Sequence, residues 1–592
     1  MILEHAVLQV VPGRAAEFER AFDEARRIIG GMPGFRGLRL ERGVEDPTRY
    51  LLLVEWDRLE DHTEGFRGSP QYDEWRALLH HFYDPFPEVD HYAPAATQAA
   101  STAPALPAPP LALPVRPVLP GFHPDPTVCR VGEDVYLACS SFEYAPGVPV
   151  LRSRDLATWE LVGHALDRPS QLALAGVGAS GGVYAPTLRH HDGRFYLVTS
   201  NVNDGPGHIL VTATDAAGPW SEPVRIDEVG GIDPDLAWDQ DGTCYLTWSD
   251  GGIVQAVLDP TTGRLLSDPR PLWSGTGGRD PEGPHLYRVG EHWYLLVSEG
   301  GTGAGHAVSV ARGPAPYGPF EPCPDNPFLT ARATPHPVQN AGHADLVELA
   351  DGTWAAVFLG VRPSGRFPSW HVLGRETFAA RVAWEDGWPR VVAPIEPSDE
   401  AAVPPDELTD ALPPSWVGSG VFPADVLRRT DDGWVLTARP DERTFVGHRQ
   451  EHPHVTACAR VDAADGVGGI EVRIDPWHAL TLEVDGGVAR AVARVGHLVQ
   501  ELGSTPVGPD DELELRAVPS TASEYSRERG PDEVVAAVRR AGASAGDEVV
   551  ELGRIDGRYL STEVAGGFTG RMVGLVCRTG SVAVRSYRCA RD

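Results

Sequence analysis

Asp125, Asp233, Glu282 and His343 stand at the same place in four of five repeats of one pattern. Each repeat closes on a turn and a short strand: VGEDVYL, HDGRFYL, QDGTCYL, VGEHWYL and ADGTWAA. The equivalent strand residues are Tyr136, Tyr196, Tyr245, Tyr294 and Ala355, at intervals of 60, 49, 49 and 61 residues. Eleven or twelve positions upstream of them lie Asp125, the Tyr184–Ala185 pair, Asp233, Glu282 and His343. GFHPDPTV, GIDPDLAW and EGPHLY share an acid, a proline within two residues and a following apolar pair. Carboxylates in one pocket do acid–base work. A base that activates water must be ionised, and an acid must keep its proton near neutral pH. A third carboxylate beside the acid helps it do so by like-charge repulsion. These are the minimum parts of a hydrolase.

Such groups act together only if the chain brings them together. A repeat of this period, with Gly turns between short strands, is the sign of a β-propeller. Every blade's inner strand starts at one end of the central axis, so equivalent positions converge. Five repeats predict five blades, over residues 117–395. Residues 396–411 read as a Pro/acid-rich connector. From 412 to 592, short strands such as HVTACARVD, GGIEVRID and ALTLEVDG recur between turns, which predicts a β-sandwich. PSTASEYSRERGPDE reads as a loop.

Residues 1–94 are different. ILEHAVLQV alternates like a strand, Phe18, Phe22, Ala25 and Ile29 recur at helical spacing, and FRGLRLER and RYLLLVEW read as strands. SPQYDEWRALLHHFYDP reads as a second helix with Ser69 as its N-cap. The order β-α-β-β-α predicts a ferredoxin-like α+β unit. In His80–His81 one buried and one exposed ring are expected. Residues 95–116 are Ala/Pro-rich and read as an extended spacer. The whole is multidomain and mainly β.

Net charge is −32, which argues against nucleic acid or an anionic membrane as partner. The seven cysteines form no CxxC pair and read as free thiols in a reducing compartment. No basic n-region with an apolar run opens the chain, and no run of about 18 apolar residues occurs. A cytoplasmic location is expected.

The segments GFHPDPTV, SSFEYAPGVPVLRSRDLATWE, GGVYAPTLRHHDGRFYL, GIDPDLAWDQDG, EGPHLYRVGEHWYLLVSEGGT, NAGHADLVE and LGRETFAARVAWEDGWP resemble glycoside hydrolase family 43, in its β-xylosidase and α-L-arabinofuranosidase branch. GRYLSTEVAGGFTGRMVGL resembles the concanavalin-like β-sandwich that accompanies this branch. The resemblance implies Asp125 as general base, Glu282 as general acid, and Asp233 as the group that orients Glu282 and tunes its pKa. It implies inversion at the anomeric carbon. Phe142, Tyr184, Ala185, Thr302, His343, Arg375 and Phe568 would line the sugar subsite, Phe568 reaching across from the sandwich. Two departures bear on it: Tyr184 replaces the usual Trp of GGVWAP, and Ala145 replaces a bulky residue.

The implied activity is an exo-glycosidase that removes terminal non-reducing β-D-xylosyl or α-L-arabinofuranosyl units from short oligosaccharides, as in xylan degradation. No cofactor is required on this reading. A calcium ion near His343 is the one metal the resemblance admits, and a lone histidine without clustered carboxylates is a poor site. Residues 1–94 resemble the antibiotic biosynthesis monooxygenase-like α+β barrels through FRGSPQYDEWRALLHHFYDPFPEVDHY. That implies a homo-oligomer paired through this unit. Two alternatives stay open from sequence: a sugar-binding propeller without catalysis, and an oxygenase–glycosidase fusion acting on a glycosylated secondary metabolite.

Overall fold

A computed structural model of the chain describes residues 2–43, 46–92, 113–174, 176–397, 406–440, 442–523, 526, 528–542 and 549–591. Most of the spacer at 95–116, half of the connector at 396–411 and part of the loop at 519–533 lie outside the described residues. The chain divides into two units, Met1–Pro107 and Ala108–Asp592. It is multidomain and mainly β.

In the first unit the order is strand Ile2–Gln9, helix Ala15–Gly30, strands Phe35–Arg42 and Arg49–Trp56, helix Pro70–Leu79 and strand Val89–Tyr92. In the sheet the strands run second, third, first, fourth, and Ile2 pairs with Trp56 in antiparallel register. The first helix buries the face predicted, Phe18, Phe22, Ala25 and Ile29. Ser69 caps the second helix, its hydroxyl accepting from Tyr72 N at 3.3 Å. A π-helical stretch, Asp61–Phe66, precedes it and has no apolar period to betray it. His81 is exposed and His80 half-buried, so the fully buried histidine expected in that pair is absent from it. The buried ring of this unit is His62, held between Glu4 and His91.

The second unit begins with five antiparallel sheets of four or five strands. Their first strands are Thr127–Val131, Thr187–His191, Ile232–Trp238, Glu282–Val289 and Gln339–Glu348. Each touches the next, and the fifth touches the first, so the strands close a ring. The repeat in the sequence is the register of these sheets: Cys129 pairs with Tyr136, Arg189 with Tyr196, Ala237 with Tyr245, Tyr287 with Tyr294 and Val347 with Ala355. Apolar side chains between neighbouring sheets, such as Leu188 and Leu197, or Leu346 and Phe358, form the cores that hold the ring.

After the fifth sheet come two β-layers around one core that includes Ile470, Leu480, Leu515 and Leu575. The strand Met572–Arg591 belongs to both layers. Its first half pairs with Thr444–Arg449 and Gly466–Asp475, and its second half with Gly433–Thr437 and Val455–Asp462. Val417–Ser419 pairs on one side with this sandwich and on the other with Tyr144–Ala145, just after the first sheet's second strand. The small Ala145 sits at that backbone junction, fully buried.

Candidate active site

The marked residues face one end of the ring because their strands start irregularly. Asp125, Asp233 and His343 all have left-handed backbone, with φ of 54°, 54° and 48°. The ladders slip between Ile232 and Asp235, between Glu282 and His285, and between Gly342 and Asp345. Bulges of this kind re-aim a side chain out of the alternating pattern. At Glu282 the left-handed residue is the next one, Gly283, with φ of 54°. A Cβ there would meet His343 Nε2 at 2.9 Å, so glycine is what lets the acid and the imidazole come close.

Farther along the same strands a second tier ties the ring together. Arg189 donates to Asp235 and to Asp345, both at 2.7 Å. Thr127 Oγ1 donates to Asp345 Oδ2 at 2.8 Å, and Leu286 N to Asp235 Oδ2 at 2.9 Å. Tyr287 hydroxyl also donates to Asp345. Burial would raise the Asp345 carboxyl, but Arg189 and His285 overcome it and hold it well below the usual carboxylate range. The marked residues thus sit on a fixed ionic floor.

Above it, Asp125 is 5% exposed and satisfied on both oxygens. Oδ1 accepts from Arg375 Nη1 at 2.8 Å and Oδ2 from Ser140 Oγ at 2.5 Å. His343 Nδ1 lies 3.7 Å from Oδ1. Burial favours the neutral acid, yet Arg375, His343 and Ser140 together lower its pKa, so it is ionised near neutrality. Glu282 is the reverse. Burial, then the charges of Asp233 and Asp125, push its carboxyl well up, and Arg375 offsets only part. Its nearest basic group is His306, at 3.7 Å, whose own pKa is depressed by burial. Asp233 accepts from Gly283 N at 3.0 Å, the residue after Glu282, and is itself raised, mainly by burial. One ionised and one protonated carboxyl in a single pocket are the electrostatics of acid–base catalysis.

The remaining predicted residues gather around these. Phe142 and Phe568 stack with centroids 5.8 Å apart, and Tyr184 meets both edge-on, at 5.3 and 5.9 Å. The Arg375 guanidinium packs over Phe142 and Phe568. It also donates to Thr302 Oγ1 and to the Phe568 carbonyl, both at 3.3 Å. Phe568 N donates to Ser180 Oγ at 2.8 Å. Ala185 is buried beside them. A cavity of about 600 Å³ opens from this point along the seam between the ring and the sandwich, lined by Thr302, Asn340, Arg375, Glu563 and Phe568 among others. At its rim His371 Nδ1 and Glu563 Oε1 are 2.6 Å apart, a contact between the two halves.

Sequence reading missed Ser140, Ser180, His306 and the His371–Glu563 contact. Ser140 lies only two residues before Phe142 in SSFEY, but nothing local shows that its hydroxyl turns to Asp125. His371 and Glu563 are 192 residues apart.

A family model for glycosyl hydrolases family 43 matches residues 114–389. A model for the beta-xylosidase C-terminal concanavalin A-like domain matches 435–587, and one for antibiotic biosynthesis monooxygenase matches 1–78. A non-reducing end alpha-L-arabinofuranosidase of Bacteroides ovatus is 37% identical over 501 residues, covering 78% of this chain and 90% of that protein. The chain belongs to glycosyl hydrolases family 43. This family-43 glycoside hydrolase is also 48% identical over 293 residues to a xylosidase/arabinosidase of Butyrivibrio fibrisolvens, covering 46% of this chain and 56% of that one. Among solved structures, a xylan beta-1,4-xylosidase from Bacillus halodurans superposes with a TM-score of 0.71 at 28% identity, covering 80% of this chain and 99% of that one.

All the site residues of this family-43 chain lie in its second unit. Among the described residues no group of three or more His, Cys, Asp or Glu side chains is arranged to hold a metal ion.

Proposed function

We propose that the enzyme is an inverting exo-glycosidase that removes terminal β-D-xylosyl or α-L-arabinofuranosyl units from short oligosaccharides, with no cofactor. The opposed protonation of Asp125 and Glu282 carries this reading. Asp125, ionised, takes a proton from water as it attacks the anomeric carbon. Glu282, protonated, gives its proton to the departing oxygen. Asp233 keeps Glu282 protonated through its charge and positions it through the Gly283 amide. Phe142, Tyr184, Ala185, Thr302, His343, Arg375 and Phe568 enclose the terminal sugar. Screening nitrophenyl glycosides, with Asp125→Ala and Glu282→Ala as controls, tests the assignment. Turnover of neither the β-xyloside nor the α-arabinofuranoside would refute it.

The closed ring of five sheets supports a five-bladed β-propeller over about 117–395, and the two layers after 412 support the sandwich. The sheet order of residues 2–92 supports a ferredoxin-like fold, which would pair copies of the chain. No described helix is long and apolar enough to cross a membrane. Seven buried free cysteines support a reducing, cytoplasmic setting. A binder without catalysis has no use for a carboxyl held protonated as Glu282 is, so the sugar-sensor alternative is not favoured.

A further inference from the structure

A second cavity, of about 560 Å³, lies at the seam between the first sheet and the sandwich. It shares no lining residue with the catalytic mouth. Val118, Leu151, Trp159 and Leu161 give it an apolar wall, and Arg449 and Glu451 reach it from the sandwich. Its size falls within the range of small-molecule sites, about 300–1,000 Å³.

Arg449 is the unusual group. It is 7% exposed, and its Nε donates to the Phe122 carbonyl at 2.6 Å. Its guanidinium lies against the Phe122 ring, 5.2 Å from the centroid. Among the described residues no carboxylate forms an ion pair with it, and its two terminal nitrogens have no protein acceptor. Three other largely buried arginines of the second unit meet carboxylates closely, Arg189 with Asp235 and Asp345, Arg375 with Asp125, and Arg571 with Asp532, and Arg473 lies 3.9 Å from Glu471. Of the three further arginines of the cavity, Arg116 is engaged by Glu396 and Arg362 by Glu376, and Arg591 is exposed to solvent. Glu451 forms no ion pair with Arg449, and burial and the charge of Asp406 push its carboxyl up to about 7, so it is at most a partial counter-charge. A buried cation without a counter-charge is costly, and a planar guanidinium matches a carboxylate in two parallel hydrogen bonds.

We propose that this cavity binds a small aromatic carboxylate, its carboxylate accepting from the terminal nitrogens of Arg449 and its ring lying on the wall of Trp159 and Leu161. Arg449 is the one buried cation of the described lining without a carboxylate partner, which suits a monoanion, and the apolar wall suits a ring better than it suits inorganic phosphate. The occupant would sit beside Leu119, Pro120 and His123, on the segment that leads into Asp125.

The test is titration of the full chain with benzoate, followed by broadening of the benzoate NMR signals, with excess xylose filling the catalytic pocket. Saturable binding is expected at about 1 mM or below, with benzyl alcohol and inorganic phosphate at least tenfold weaker. Ala157→Trp fills the cavity and spares Arg449. It should remove benzoate binding and leave turnover of the nitrophenyl glycoside unchanged. Arg449→Met should weaken benzoate at least tenfold wherever the variant remains folded. Three results would each overturn the proposal: no saturable binding by about 10 mM, binding that survives Ala157→Trp, or phosphate or benzyl alcohol binding as well as benzoate.

Discussion

Arg375 donates to Asp125 at 2.8 Å across 250 residues of chain, and the same guanidinium holds the carbonyl of Phe568 from the sandwich. One cation therefore sets the charge of the proposed base and fastens the aromatic lid. Arg375→Met should raise the Asp125 pKa, because the largest lowering influence is gone. The acidic limb of kcat/KM against pH should then move to higher pH, and kcat/KM should fall by at least tenfold. An acidic limb at the wild-type position would show that Asp125 does not set it.

Asp125→Ala and Glu282→Ala should each lower turnover by about 10²–10⁴-fold with the fold intact. Glu282→Ala should do least harm on nitrophenyl glycosides, whose leaving group needs little protonation. Equal losses on nitrophenyl and alkyl glycosides would contradict its role as acid.

The raised Glu282 carboxyl has a stability signature. Its pKa is about 8 in the folded chain, above the ordinary 4.5, so the folded state binds the extra proton. Its contribution is complete below pH 4.5 and is lost as pH rises through about 8. Glu282→Gln does not titrate. Its melting temperature should therefore gain on that of the wild type as pH goes from 5 to 8.5, measured by calorimetry. A constant difference would mean that Glu282 ionises normally.

Water attacking opposite the leaving group yields the inverted anomer first. Proton NMR during the first turnovers of a β-xyloside should show α-xylose ahead of mutarotation. β-Xylose appearing first would demand a covalent intermediate and a different role for Asp125.

Every site residue lies beyond residue 117, so removing residues 1–112 should preserve turnover per site. Removing 412–592 should abolish it, because Phe568 and the Val417–Ser419 pairing leave with the sandwich. Phe568→Ala should weaken sugar binding by roughly 1–3 kcal/mol, the scale for one large apolar side chain. Full activity in the sandwich truncation would show that the lid is dispensable.

The repeat of acids, Gly turns and strands was legible in sequence, because a fixed backbone register repeats fixed residue types. It placed Asp125, Asp233, Glu282 and His343 at equivalent positions, and the helical spacing of Phe18, Phe22, Ala25 and Ile29 fixed one buried face in the first unit. Local chemistry also marked Ser69 as a cap. What tertiary structure alone decided is the electrostatic partition of the carboxyls. Asp125 and Glu282 differ because one meets Arg375 and Ser140 while the other meets Asp233 and burial. Those neighbours come from different sheets, and no window of sequence contains both. The His371–Glu563 contact and the unmatched charge of Arg449 have the same origin. Each depends on where a strand of the sandwich docks against the ring, and long-range packing, not local propensity, sets that position.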